Sequence, residues 1–194
     1  MAKILGNFHL ALLIGVVLLV AVMVGLNRET MDATYWAGFL RYLHVLAGIL
    51  WIGLLYYFNF VQIPTMPTVP AELKPGVTKY IAPAALFWFR WSALATVILG
   101  LLVAELTEPG YIVAALTLAE SKRTIGIGMW LGIIMAANVW LVIWPNQKKA
   151  LGIVTVDDAV KARSAATAMM ASRTNLILSI PMLYLMVTQA YLPQ

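Results

Sequence analysis

One stretch of this sequence gathers residues able to do chemistry. Arg41, His44, Gly48, Trp51, Leu55, Asn59 and Gln62 recur at steps of three or four, the spacing that stacks side chains on one face of an α-helix. The intervening positions are mostly Leu, Ile, Val and Ala. A stripe carrying a cation, an imidazole, an indole and two amides on an otherwise apolar helix should face inward. His44 is its main candidate, because a neutral imidazole can ligate haem iron. Gly48, one turn on, would leave room beside a flat macrocycle. Arg41, one turn back, can pair with a propionate. Arg41, His44, Gly48 and Trp51 therefore form a candidate site for b-type haem, with His44 as the metal ligand. A second reading needs no cofactor: a histidine hydrogen-bonded across a helix interface.

Two further ionisable residues bear on that site. Arg90, in Phe87-Trp88-Phe89-Arg90-Trp91, is a further cofactor-binding candidate, able to clamp a propionate, a carboxylate or a quinone oxygen at the depth of Asn59 and Gln62. Its plainer reading is a side chain reaching headgroups through an aromatic belt. His9, the other histidine, is expected roughly 10–15 Å from His44 in depth at 1.5 Å rise per residue. It is therefore expected at an interface and not on the same iron. A sixth ligand would come from a Met, water, substrate or another chain, including a second copy of His44.

These residues must be positioned by helices. The 194-residue chain is 62% hydrophobic and only 11% charged, with a mean hydropathy of +0.88; soluble domains carry about 25% charged residues. A spanning helix needs about 20 mainly apolar residues. Five segments qualify: Ile4–Leu26, Trp36–Gln62, Pro83–Ala104, Thr124–Trp144 and Ser172–Leu192. The first has too long an apolar core for a signal peptide and is expected to be a retained span. The expected fold is all-α, a polytopic transmembrane helical bundle of five spans, with residues 1–194 forming a single membrane domain.

Polar positions in the later spans read as packing devices. Gly126, Gly128, Gly132 and Ala136 form a small-residue seam for close helix approach. Asn138 is an interhelical hydrogen-bonding group, and Trp144-Pro145-Asn146-Gln147 should close the fourth helix. Asn175, Ser179 and Pro181 mark the fifth span, with a kink at Pro181. The ten methionines form no Met-x-Met run and read as packing.

Lys3, Lys74, Lys79, Lys148, Lys149, Lys161, Arg163 and Arg173 fall on one side of these spans, and only Arg28, Lys122 and Arg123 on the other. The positive-inside rule then places the N-terminus in the cytoplasm and the C-terminus in the periplasm. The main cytoplasmic loop is 145–171, in which Thr155-Val156-Asp157-Asp158 should cap an amphipathic helix over 159–171. The Pro-rich loop 64–83 should resist regular helix. A short turn of helix is expected over 114–119.

Several function classes are excluded. The net charge of +5 comes mainly from loop residues, read as topology signals and lipid contacts, so no nucleic-acid partner is expected. With no cysteine, disulfides, thiolate metal sites, iron–sulfur clusters and covalent c-type haem are ruled out. The span interiors hold no carboxylate, which argues against a carboxylate-driven pump. No Walker motif, nucleophile elbow or His/Glu metal motif is present.

The stretch Arg41-Tyr-Leu-His44-Val-Leu-Ala-Gly48-Ile-Leu-Trp51-Ile-Gly53, followed by Tyr56-Tyr57-Phe58-Asn59, resembles the second span of a bacterial family. That family is the urate oxidase N-terminal domain, the membrane part of bacterial urate hydroxylase. The resemblance extends through Trp88–Gly100, Met135–Lys149 and Ala171–Asn175. Full-length members carry more membrane helices and a c-type cytochrome domain, whereas this sequence has no Cys-x-x-Cys-His. The resemblance implies a short-form, inner-membrane, redox-associated protein. It would pass electrons within a respiratory or oxidase assembly, as an oxidoreductase component with a c-type cytochrome or other membrane subunits, or a second copy, as partner. Two alternatives stand beside it: a non-catalytic accessory subunit of a larger membrane complex, and a small transporter using Arg41, His44 and Arg90 in a cavity.

Overall fold

The computed structural model describes residues 2–27 and 31–191. Arg28 and Leu192, used above for topology and span limits, lie outside the described residues, as does the side chain of Lys3. Every regular element among the described residues is helical. Among the described residues, five helices are long and apolar enough to cross a membrane: Phe8–Leu26, Ala33–Thr65, Lys74–Thr107, Glu120–Ala150 and Asp158–Thr188. They are called here the first to fifth long helices.

Contacts divide the chain into two units, one ending at Phe39 and one beginning at Leu40. In the N-terminal unit, a short helix Ala2–Leu5 precedes Phe8–Asn27. The second long helix opens at Ala33, where Asp32 Oδ1 accepts the Tyr35 N–H at 2.9 Å, a side-chain N-cap.

The C-terminal unit has a continuous apolar core. Trp51, Leu55 and Phe58 of the second helix meet Leu86, Phe89 and Ala93 of the third, Met135, Val139 and Ile143 of the fourth and Met182 of the fifth. The outward positions of the same helices stay apolar: Ile49, Ile98, Leu141 and Ile177 are all exposed. A short helix, Tyr111–Leu116, joins the third and fourth helices, and Trp130 Nε1 donates to its Leu116 carbonyl at 3.0 Å. The expected turn over 114–119 thus begins earlier and ends by Leu116. Leu118 follows at φ 57°.

Proline makes the main difference between expectation and structure. Gln62, Pro83 and Trp144 were the expected helix limits at Pro64, Pro83 and Pro145, yet the chain stays helical through all three prolines. Each is preceded by a stretch of π-helix: Tyr57–Gln62, Val77–Ile81 and Val139–Ile143. There the N–H groups of Ile63, Ala82 and Trp144 reach back five residues, to the carbonyls of Phe58, Val77 and Val139. Proline in an α-helix collides with the carbonyl four residues back and lacks the N–H to bond it. The wider π turn shifts the register just before each proline, so the helix passes instead of stopping. The third long helix accordingly starts within the Pro-rich stretch at Lys74, with Pro75 in its first turn. The fourth runs on to Ala150. Pro181 lies inside the fifth helix without interrupting it.

A second correction concerns the loop 145–171, which shrinks to the residues between Ala150 and Asp158. The expected amphipathic helix and the fifth span are one helix, Asp158–Thr188. Asp157 caps it, accepting the Val160 N–H at 2.7 Å. Nothing stops that helix where the sequence turns apolar, because backbone pairing carries it across the change in polarity.

The glycine seam of the fourth helix serves two neighbours. A β-carbon at Gly126 would strike the carbonyl oxygen of Ala115, whereas one at Gly128 would sit 3.3 Å from Leu185 Cβ of the fifth helix and one at Gly132 would meet nothing within 4 Å. Gly126→Ala should therefore destabilise the protein by about 1–3 kcal/mol through overpacking against backbone. Gly132→Ala should be tolerated. Unfolding of the two variants in mixed detergent micelles checks the contrast.

Candidate functional site

The polar stripe turns inward only along part of its length. Trp51 and Leu55 are 1% and 0% exposed, and Asn59 is 9% exposed. His44, Gly48 and Gln62 are half-buried and Arg41 is exposed. The Trp51 indole is packed in the core with no acceptor for its Nε1.

His44 meets the third helix at a reciprocal notch. Its Nδ1 lies 2.8 Å from the Thr96 carbonyl oxygen. A carbonyl only accepts, so Nδ1 carries the proton, and in the neutral ring Nε2 is the bare nitrogen. The ring rests on Gly100, where a β-carbon would come 2.9 Å from His44 Cε1 and 3.0 Å from Nδ1. In return, Thr96 Cγ2 sits 3.7 Å from the β-carbon position of Gly48. His44-x-x-x-Gly48 and Thr96-x-x-x-Gly100 thus interlock, each glycine receiving the other helix's side chain. Thr96 and Gly100 were not singled out from the sequence. Their four-residue spacing, the same as that of His44 and Gly48, was the available signal.

The residues fit one part of a haem site and not another. His44 has the second-sphere hydrogen bond that orients a ligating imidazole and leaves Nε2 available. Gly48 does not provide the expected gap beside a macrocycle, because Thr96 fills it. His44 is half-buried, and Arg41 is exposed one turn away on the same helix.

Arg90 is placed elsewhere. Its guanidinium lies 3.8 Å from the centre of the Trp144 ring and 5.4 Å from that of Phe87. Its backbone carbonyl accepts from Trp140 Nε1 at 3.0 Å. Asn59, expected beside it, turns to the fifth helix instead, donating from Nδ2 to Ser172 Oγ at 2.9 Å and to its own helix at the Leu55 carbonyl, also 2.9 Å.

Other predicted polar groups meet in one set of contacts. Asn138 Nδ2 donates to Asn175 Oδ1 at 2.8 Å and to the Ala171 carbonyl at 2.9 Å. The fully buried Asn175 donates from Nδ2 to the Met135 carbonyl at 3.0 Å. Tyr56 Oη and Ser179 Oγ lie 3.3 Å apart, and Ser179 donates to Leu176 O at 2.7 Å. These bonds tie the fourth and fifth helices together and link the second to the fifth. His9, in the N-terminal unit, lies edge-on to Phe8 at 5.4 Å between ring centres.

The Asn138–Asn175 pair lies in the segment that comparison with known proteins identifies: residues 111–193 match the family described as urate oxidase N-terminal. Over this segment the chain is similar to that family. The urate oxidase N-terminal match takes in the short helix after the third long helix and the whole of the fourth and fifth. It contains the resembling stretches at Met135–Lys149 and Ala171–Asn175 but does not reach the Arg41–Gln62 stripe or Arg90. No curated protein and no solved structure gives a significant match.

The notch gives a direct test of what orients His44. Gly100→Ala should push the imidazole off the Thr96 carbonyl and cost about 1–3 kcal/mol. Gly48→Ala, at an ordinary contact distance, should change little. Solution NMR of ring-labelled His44 reads the outcome as loss or retention of the protected Nδ1–H signal.

Proposed function

We propose that this protein is a multi-pass inner-membrane, redox-associated subunit resembling the membrane module of urate hydroxylase, with His44 as its candidate ligand for b-type haem. The observation that carries the reading is the Nδ1–H bond of His44 to the Thr96 carbonyl, which leaves Nε2 as a lone-pair donor in a fixed ring. Membrane insertion is supported by five long apolar helices and by the apolar outer face of the C-terminal unit, which would be costly against water and costs nothing against lipid. The charge asymmetry supports an N-terminus in the cytoplasm and a C-terminus in the periplasm. Haem, when bound, supplies one-electron chemistry. His44 would hold the iron, and Arg41, one helical turn away, would pair with a propionate. Arg90, with its guanidinium on the Trp144 ring, is a further candidate to pair with a propionate. A complete electron path needs a partner, such as a c-type cytochrome or another membrane subunit.

A second reading, a non-catalytic subunit of a larger membrane complex, has its own support. The middle of the stripe is packed shut at Trp51 and Leu55, and the buried amides are largely spent on helix–helix bonds. The same closure counts against a transport path along the stripe.

Purified protein should show a Soret band that is lost in His44→Ala. Absence of the band, or a band unchanged in the variant, would remove the haem reading. A stoichiometric partner co-purifying without any cofactor would favour the second.

A further inference from the structure

A cavity of about 190 Å³ lies among the second, third, fourth and fifth helices, at the end of the bundle away from His44. Phe58, Gln62, Phe89, Gln147, Met169 and Ser172 are among its lining residues, and none of the residues that line it is charged. It is flanked by two of the three π-helical stretches: Phe58 and Gln62 belong to the first and Ile143 to the third. Such turns are frequent at functional sites, because the widened backbone opens space that a regular α-helix would fill.

Its polar groups are few, and one of them lacks a partner. Gln62 Oε1 is buried without a hydrogen-bond donor. Beside it on the same helix, the Asn59 amide spends its Nδ2 on Leu55 and Ser172. This fixes the orientation of the amide and leaves Oδ1, also buried, without a donor. Ser172 Oγ, accepting from Asn59, still has its own proton to give. The cavity therefore offers an unpartnered acceptor at Gln62 and a hydroxyl donor at Ser172 inside an apolar, uncharged shell. Burying such an acceptor without a donor is costly, so a ligand able to donate to it is favoured. An apolar pocket with a few convergent polar groups is the usual form of a small-molecule site.

We propose that this cavity binds the ring of a neutral quinol. A quinol hydroxyl donates to Gln62 Oε1 and accepts from Ser172, while the ring carbons meet Phe58, Phe89 and Met169. The absence of lining charge selects a neutral ligand, and the cavity volume limits the bound part to about one substituted six-membered ring. The same O–H chemistry could come from a lipid hydroxyl, so the test separates the two sources. The proposal rests on the membrane-embedded, redox-associated reading but not on haem at His44, since binding is measured without reference to a Soret band.

The experiment is equilibrium binding of radiolabelled tetramethylhydroquinone to the full chain in lipid nanodiscs under argon. Saturable binding is expected. The dimethyl ether, which keeps the ring and lacks both donors, should bind at least about tenfold more weakly, as should Gln62→Leu on the quinol. Ala165→Phe, at an exposed lining position, should block the cavity without touching the amides, and it covers the case in which Gln62→Leu fails to fold. Three results would overturn the proposal: no saturable binding, equal binding of the ether, or unchanged binding in folded Gln62→Leu and Ala165→Phe. Displacement of the quinol by an equal concentration of diolein would overturn the assignment to a ring and assign the site to a lipid hydroxyl.

Discussion

The core of the C-terminal unit is built from apolar side chains, and such surfaces tolerate sliding of one helix past another. The buried amides do not. Asn175 can bond both Asn138 and the Met135 carbonyl at only one register of the fourth and fifth helices, and Asn59 meets Ser172 at one register of the second. Each such bond contributes modestly, on average about 0.6 kcal/mol between membrane helices. Its larger effect is on the alternatives, since a slipped helix would leave several amides unpaired in an apolar interior. This polar set therefore determines where the apolar side chains of the core can meet.

The π-helical turns belong to the same arrangement. Two of them flank the region where Asn59, Ser172 and Asn138 form their bonds, and each immediately precedes an X-Pro pair. The prolines thus shift the helix register at defined heights without ending the helices. That shift has two consequences: the helices run longer than their apolar segments, and space opens between Gln62 and Ser172. Lys74, Lys79, Lys148 and Lys149 are carried on these helical extensions, so the basic residues that mark one end of the bundle are held on ordered turns.

The other end is organised by the notch between His44, Gly48, Thr96 and Gly100. It joins helices two and three by shape as much as by a hydrogen bond. It also imposes order on His44, since the bond that locks the ring decides which nitrogen is bare. Arg90 of the third helix is held differently, its guanidinium against the Trp144 ring of the fourth.

The sequence by itself determined the number and type of long helices, because apolar run length and helical periodicity are local properties. It also determined that residues 41–62 carry a polar face and that Asn138 and Asn175 need partners, because buried polar groups in apolar segments must be paired. Only the tertiary structure decided which partners they find. Gly100 beneath His44, Thr96 in the gap expected at Gly48, and Trp144 beneath Arg90 are all residues of other helices, so spacing within one helix could not reveal them. The helix limits were misjudged for a related reason. Proline reads locally as a stop, and a π turn that lets a helix continue is stable only where the packed neighbours accept its wider backbone. The fifth helix crosses from a polar to an apolar sequence without a break because its pairing is along the backbone, whereas hydropathy reports only side chains.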